Sequence, residues 1–172
     1  MSASKVCAVI ASATFIALGG ASPVSADPLA PEPQWGINGT FLTSSNGDWA
    51  QLNQRYEDQP STRSTWTIST QCVSPSDCTG TVNSDAGWSA PIYTTNGLWY
   101  VKRKVPNWRF CADGVPVEGF QTYKFYPVGA NGHVDGDAKE YTGFDKTIGP
   151  SGSCGRNQWP VIEMPFYMKP AG

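Results

Sequence analysis

The residues best suited to chemistry in this 172-residue chain are its five cysteines. Cys7 falls in an amino-terminal signal described below, which leaves four. Cys72 and Cys78 are separated by a stretch that contains a proline and is longer than the C-x-x-C spacing of redox sites. A zinc site needs four nitrogen, sulfur or oxygen ligands, and the only histidine of the chain is His133. The cysteines therefore indicate disulfides rather than a metal or redox centre.

The two closely spaced cysteines lie at the ends of alternating segments that predict the two strands of a hairpin. A period of two puts each cysteine on the apolar face of its strand, so both side chains point the same way. Opposite residues at a non-hydrogen-bonded position have Cα atoms about 4.5 Å apart, a distance that a disulfide spans. Of the three pairings that four cysteines allow, we predict Cys72–Cys78, and Cys111–Cys154 follows.

No catalytic or metal-binding set emerges from the sequence. His133 lies in the turn-rich stretch Gly129 to Asp137, a poor place to hold a base, and no serine has the G-x-S-x-G frame. Nearby acidic residues suit calcium less well than a hairpin turn around Asp135–Gly136. We predict no enzyme, no metal and no cofactor. The remote alternative is a hydrolase with carboxylates assembled by the fold, from Glu57, Asp113, Glu118 and Glu163.

A different chemistry is possible around Arg103, where alternation places Trp99, Val101 and Arg103 on one face of a strand. If that face is the interior, Arg103 can meet an anionic ligand in surroundings of low dielectric constant. The alternative is that Arg103 pairs with a carboxylate or reaches solvent at the mouth of a barrel. Seven tryptophans exceed the needs of a core of this size. We take Trp66, Trp99 and Arg103 as candidate ligand-binding residues in an aromatic-lined pocket.

The amino terminus has the three parts of a secretory signal peptide. Lys5 supplies the charge, Val6 to Gly20 is apolar, and Val24-Ser25-Ala26 ends in small residues. An uncleaved anchor would need about 20 apolar residues, more than this stretch provides. We predict a signal peptide at 1–26, a Pro-rich spacer at 27–35, a disulfide-bridged β domain at 36–169 and a tail at 170–172. The protein is then secreted, extracellular or in the cell envelope, without a transmembrane anchor after cleavage.

Charge excludes one class of partner. The chain carries 12 basic and 14 acidic side chains, and one of the basic ones leaves with the signal. No basic excess argues for nucleic acid, because duplex binding rests on several cations on one face. The partner is unknown from sequence, and an envelope lipid, a glycan or a protein all fit.

The elements that must position these residues are short strands separated by turn signals. Asn96-Gly97 is a strong two-residue hairpin signal, and Pro165 places the last strand at an edge or at a barrel seam. A short helix is possible over Trp49 to Tyr56. The strands form a single antiparallel meander of about eight members, for which a lipocalin- or avidin-like barrel is preferred over a sandwich. They are predicted at 36–43, 64–72, 78–84, 88–95, 98–105, 120–127, 138–148 and 161–168.

The order of features along the chain supports the same architecture. In sequence these are Gly39-Thr40-Phe41, the strand from Trp66 to Cys72, Cys78, Trp108 with Cys111, and Cys154-Gly155 before a last apolar strand. This order resembles mycobacterial secreted proteins of unknown function that are related to the extracellular sensor-type domain of some mycobacterial serine/threonine kinases. The resemblance implies the fold, the bridges and the compartment, and it assigns no ligand.

Two classes of function therefore compete. The first is a secreted non-catalytic β domain that binds an envelope lipid or glycan in an aromatic-lined pocket. The second is an interaction or structural protein of the envelope that acts through its surface and has no small ligand. A pocket of about 300 Å³ or more with a polar group turned into it is what the first class requires.

Overall fold

Ten strands and two short 3-10 helices make up residues 35–172, the part of the chain described by a computed structural model. The predicted signal peptide and the predicted spacer up to residue 34 lie outside the described residues. The strands are β1 (Gly39–Ser45), β2 (Gln51–Leu52), β3 (Arg55–Tyr56), β4 (Thr62–Ser74), β5 (Asp77–Ser84), β6 (Trp88–Thr95), β7 (Leu98–Phe110), β8 (Pro116–Pro127), β9 (Tyr141–Ile148) and β10 (Val161–Pro170). The 3-10 helices are Gly47–Trp49 and Ser153–Gly155.

Eight of the strands close into an antiparallel barrel, as predicted. The hydrogen-bonded order is β1, β4, β5, β6, β7, β8, β9, β10, and β10 pairs again with β1. Closure leaves none of these eight strands with a fully open edge. The remaining two, β2 and β3, form a small hairpin attached to the first residues of β10.

Pro165 lies at the seam of the barrel. One side of β10 is shared between β1, which pairs with residues 166–170, and β2, which pairs with Ile162 and Glu163. The Pro165 carbonyl accepts a hydrogen bond from the Asn46 amide at 2.9 Å on that side. The missing amide hydrogen of the proline therefore falls between the two partner strands, where it interrupts no ladder.

The barrel has two distinguishable ends. At the Pro170 end the Ala171 amide donates to the Thr40 carbonyl at 3.0 Å, which joins the entry of β1 to the exit of β10. The Val161 end is the opposite one, where β1 finishes and β10 begins. Because β4 extends past the start of β1, Cys72 and Cys78 lie at the Pro170 end. The other bridge follows the end of β7 and lies at the Val161 end.

The expected helix over Trp49 to Tyr56 is wrong. The chain forms the 3-10 turn and then the β2–β3 hairpin, whose turn residues Asn53 and Gln54 have φ values of 49° and 67°. The Asn53 amide donates to the Val161 carbonyl at 2.9 Å, and its Oδ1 accepts from the Val161 amide at 2.8 Å. Docking onto β10 thus outweighs the weak helical tendency of a short segment.

A bulge in β7 shapes the Val161 end. The register with β8 shifts between Val105 and Arg109. A Cβ built at Gly119 would approach Trp108 to 2.8 Å, and one at Gly149 would approach it to 3.0 Å. The two glycines therefore make room for the Trp108 indole, which packs against both of them.

Both predicted disulfides are present. The Cα atoms of Cys72 and Cys78 are 4.0 Å apart as directly opposite residues of the β4–β5 hairpin. Those of Cys111 and Cys154 are 5.0 Å apart and 43 positions apart in sequence. The second bridge fastens the turn after β7 to the 3-10 turn before β10.

Removing either bridge tests how the fold is stabilised. Loop-closure entropy gives the Cys111–Cys154 bridge about 4 kcal/mol and the Cys72–Cys78 bridge about 2.4 kcal/mol as upper values. We expect Cys111→Ala/Cys154→Ala to lower the free energy of unfolding more than Cys72→Ala/Cys78→Ala, as measured by urea denaturation. A larger loss for the short bridge contradicts the entropic ranking.

Candidate functional site

The centre of the barrel is a cluster of aromatic rings around Trp66. The Trp66 ring lies 4.8 Å from that of Tyr123 and 5.3 Å from that of Trp88, both nearly perpendicular to it, and stacks on Phe166 at 5.4 Å. Trp66 is fully buried, and its indole N–H has no hydrogen-bond partner. The rings at the centre are thus packed against one another.

The predicted pocket residues Trp66 and Trp99 both belong to this core. Trp66 is 0% exposed and Trp99 is 5% exposed, and the core cluster contains both. Trp99 and Val101 are both buried, so this face of β7 is the interior, which is the condition on which the ligand-binding interpretation of Arg103 depended. Their role in ligand binding stays a prediction, because both side chains are in contact with neighbouring core residues.

Arg103, the third predicted site residue, is half-buried and already has partners. Its guanidinium carbon lies 4.4 Å from the centre of the Trp88 ring, and its Nε donates to Gln121 Oε1 at 2.7 Å. Gln121 Nε2 in turn donates to Asp145 Oδ1 at 2.8 Å. Arg103 is therefore linked to a carboxylate through the amide of Gln121. This arrangement resembles the alternative given in the sequence analysis, in which Arg103 pairs directly with a carboxylate.

Asp145 is the acidic end of this network and is 1% exposed. Its second oxygen, Oδ2, accepts a hydrogen bond from Ser45 Oγ at 2.8 Å. Burial raises the pKa of Asp145 above its ordinary value, although the hydrogen bonds from Gln121 and Ser45 and the charge of Arg103 act in the opposite direction. Arg103, Gln121, Asp145 and Ser45 come from β7, β8, β9 and β1. The network therefore links β1 to β9 across the intervening strand β10.

The buried network influences Tyr123 as well. Burial raises the pKa of the Tyr123 hydroxyl, and the nearby Asp145 carboxylate raises it further, while Arg103 lowers it. A phenol that keeps its proton is a hydrogen-bond donor or acceptor and carries no charge. The Tyr123 side chain, which packs against Trp66, therefore stays uncharged.

Sequence reasoning missed Asp145 and Gln121. The signal for Asp145 was the alternation Tyr141, Gly143, Asp145, Thr147, which places an acidic side chain on the apolar face of β9. An inward carboxylate requires a partner, and its partner depends on the register between β8 and β9, where Tyr123 pairs with Asp145. The sequence alone does not supply that register.

Two clefts lie outside the aromatic cluster, at the Val161 end. We call the first the bridge cleft, because Cys111 and Cys154 both line it; it has a volume of about 520 Å³. Its apolar lining is Leu52, Phe110, Val117 and Pro160, and its charged lining is Glu57, Arg109, Asp113 and Arg156. Its volume exceeds the threshold set above, but neither Trp66, Trp99 nor Arg103 lines it.

We call the second the amide cleft. It has a volume of about 510 Å³, and its lining is rich in side-chain amides: Gln51, Asn53, Gln54 and Gln158, with Lys146, Val161 and Glu163. Lys146 Nζ and Glu163 Oε2 are 3.1 Å apart and pair with each other. Asn53 and Gln158 line both clefts, so the two clefts adjoin.

The remaining candidates do not assemble into a reactive set. His133 is exposed, and its amide donates to Asn131 Oδ1 at 3.0 Å within a turn. Asp135 Oδ1 accepts from the Asp137 amide, which is a local turn contact. In the part of the chain described here, no group of three or more His, Cys, Asp or Glu residues could hold a metal ion.

Fold and bridges together define a class: an eight-stranded antiparallel barrel with a disulfide at each end. No protein-family model matches the chain, and no curated protein matches it. Among solved structures, it is similar to the monomer form of the M. tuberculosis PknI sensor domain. The TM-score is 0.54 and the sequence identity 17%, over 83% of this chain and 90% of that chain. At this identity the similarity shows the fold, and it confirms the predicted resemblance to mycobacterial sensor-type domains.

Two further observations bear on location. Disulfides form and persist in oxidising compartments, so the two bridges fit a position outside the cytoplasm. Among residues 35–172, no helix has the length and apolar character needed to cross a membrane.

The buried carboxylate makes stability depend on pH in a defined direction. Below about 3.8, the ordinary pKa of Asp, the side chain is protonated in both the folded and the unfolded chain. As the pH rises through that value, the unfolded chain ionises first, because the folded pKa is higher, and the native state loses stability. We therefore expect Asp145→Asn to gain free energy of unfolding relative to wild type as the pH rises above about 3.8, until the folded side chain ionises as well.

Urea denaturation of wild type and Asp145→Asn at a series of pH values from about 3.8 upward measures the difference in the free energy of unfolding. Asp58→Asn, which changes an exposed carboxylate, is the matched control and should show a flat difference from wild type. A stability difference for Asp145→Asn that shrinks as the pH rises contradicts the burial argument.

Proposed function

We propose that this protein is a secreted, non-catalytic recognition domain that contacts the cell envelope through its outer surface rather than through the barrel interior. The observation that carries the proposal is the packing of Trp66 and Trp99, the side chains expected to wall an internal pocket. A ligand at that position would have to displace close-packed rings, and native cores have the density of organic crystals. The polar anchor expected for such a ligand, Arg103, is held by Gln121 and Trp88.

The outer surface offers what the interior lacks. Several large apolar side chains are more than half exposed, among them Trp49, Tyr56, Phe110 and Trp159. The clefts at the Val161 end have volumes within the range of ligand sites, about 300–1,000 Å³. These features support recognition at the surface. The fold of a sensor domain and the two disulfides support an extracytoplasmic location for it.

Binding to isolated envelopes tests the proposal. The exported protein, with both disulfides formed and a fluorophore at its amino terminus, is sedimented with envelopes from the organism that produces it. We expect saturable binding that unlabelled protein displaces. Trp99→Phe, which changes the interior and leaves the surface intact, should bind within about twofold of wild type, since surface substitutions and core substitutions act independently at separated sites.

Native mass spectrometry of the exported protein supplies the second readout. We expect the mass of the processed chain with two disulfides and no retained molecule. A bound apolar molecule, together with loss of envelope binding in folded Trp99→Phe, would favour the internal pocket instead. Absence of saturable envelope binding would refute the proposed function. Near-UV circular dichroism establishes that the variant is folded.

A further inference from the structure

The two adjoining clefts at the Val161 end form one surface made from separate parts of the chain. The β2–β3 hairpin, the turn after β7 and the segment before β10 all contribute to it. The Cys111–Cys154 bridge ties two of these segments together, and the Asn53 hydrogen bonds to Val161 tie the third to β10. The surface is therefore held in place before any ligand arrives, which lowers the ordering cost of binding.

Side-chain amides on this surface have unused hydrogen-bonding capacity. Within the described residues, the side chains of Gln51, Gln54 and Gln158 form no intramolecular hydrogen bond, whereas the Asn53 side chain is engaged with Val161. An amide presents both donors and an acceptor. A hydroxyl group does the same on a single atom. Three free amides around one cleft thus match a ligand that is dense in hydroxyl groups.

One exposed aromatic side chain lines the bridge cleft, and two others are neighbours of lining residues in sequence or by strand pairing. Phe110 lines the bridge cleft and is 65% exposed. Trp159, at 60% exposure, separates the lining residues Gln158 and Pro160 in the sequence, and Tyr56 is the strand partner of the lining residue Gln51. Exposed rings at a cleft margin present apolar faces to solvent, and the C–H face of a sugar ring can stack on them.

Two arginines add an available positive charge. Arg109 and Arg156 line the bridge cleft, and neither forms an ion pair within residues 35–172, where the pairs are Lys104–Glu118 and Lys146–Glu163. The bridge cleft also contains the carboxylates of Glu57 and Asp113, which accept from Gln59 and from the Val115 amide; within residues 35–172 neither forms an ion pair with the two arginines. A guanidinium group binds carboxylate or phosphate through two parallel hydrogen bonds.

We infer that the joined clefts bind an acidic glycan, with Gln51, Gln54 and Gln158 on its hydroxyl groups, Trp159 and Phe110 on its ring faces, and Arg109 and Arg156 on its carboxylate or phosphate groups. The inference rests on the proposed function and names its ligand class and site. A lipid chain fits less well, because the apolar lining is interrupted by amides and charges. A peptide strand fits less well, because β3 offers an edge of only two residues.

The test uses envelopes that have been stripped to their glycan. Envelopes from the producing organism are extracted with organic solvent and digested with protease, and the binding of the exported protein is measured on what remains. We expect binding to survive both treatments and to weaken about tenfold or more after periodate, which cleaves vicinal diols. Amidation of carboxylates and, separately, removal of phosphate from the same material distinguish which anion Arg109 and Arg156 bind.

Matched variants locate the site. Trp159→Ala and Gln158→Ala should each weaken binding to the stripped glycan about tenfold, the effect expected of a central contact. The controls Phe144→Ala and Gln71→Ala remove an exposed ring and an exposed amide on the barrel wall and should bind like wild type. Arg109→Gln/Arg156→Gln should lose the salt dependence of binding, whereas Lys124→Gln/Lys169→Gln, with the same charge change elsewhere, should keep it.

Each other outcome has a distinct meaning. Binding that protease or solvent extraction abolishes identifies a protein or a lipid and overturns the glycan inference while the proposed function stands. Glycan binding that the Trp159, Gln158 and arginine variants retain overturns the assigned site. Absence of binding to intact envelopes overturns the proposed function itself. Thermal unfolding of each variant establishes that a loss of binding is not a loss of fold.

Discussion

The pairing of β1 with β10 is the constraint on which the rest of the structure depends. It converts an open meander, which would keep two exposed edges, into a closed wall with a fixed interior volume. Once the wall is closed, every second side chain of eight strands has to fit into that volume. Trp66, Phe125 and Phe166 are buried at its centre. The same closure that stabilises the barrel fills its interior with side chains, and for this reason the recognition that we propose lies on its outside.

Much of the fold follows from local sequence signals. Period-two alternation located all eight barrel strands, and Asn96-Gly97 marked a turn in which both residues have positive φ, 52° and 74°. The shared face of Cys72 and Cys78 was sufficient for the disulfide pairing, because alternation and hairpin geometry are both local. Pro165 indicated a seam because a residue without an amide hydrogen is tolerated only where no ladder needs it.

The sites were less accessible because they depend on register and on contacts between distant segments. Alternation placed Arg103 on the same strand face as Trp99 and left open whether it meets a ligand or a carboxylate. Its partners are Gln121 and Trp88, whose positions require the pairing of β7 with its neighbours. The bridge cleft collects residues from near positions 52, 110 and 156 without any periodic signal. A helical tendency was inferred near Trp49 because sequence does not reveal that Asn53 docks against β10.

The joining of the Ala171 amide to the Thr40 carbonyl sets an orientation for the whole domain. The chain enters β1 and leaves β10 at one end of the barrel, and the nine residue steps of β10 back to Val161 span about 30 Å. A tether joined to the domain before β1 or after β10 would therefore emerge from the Pro170 end. The joined clefts, at the Val161 end, would then lie about one barrel length from the point of attachment and face away from it.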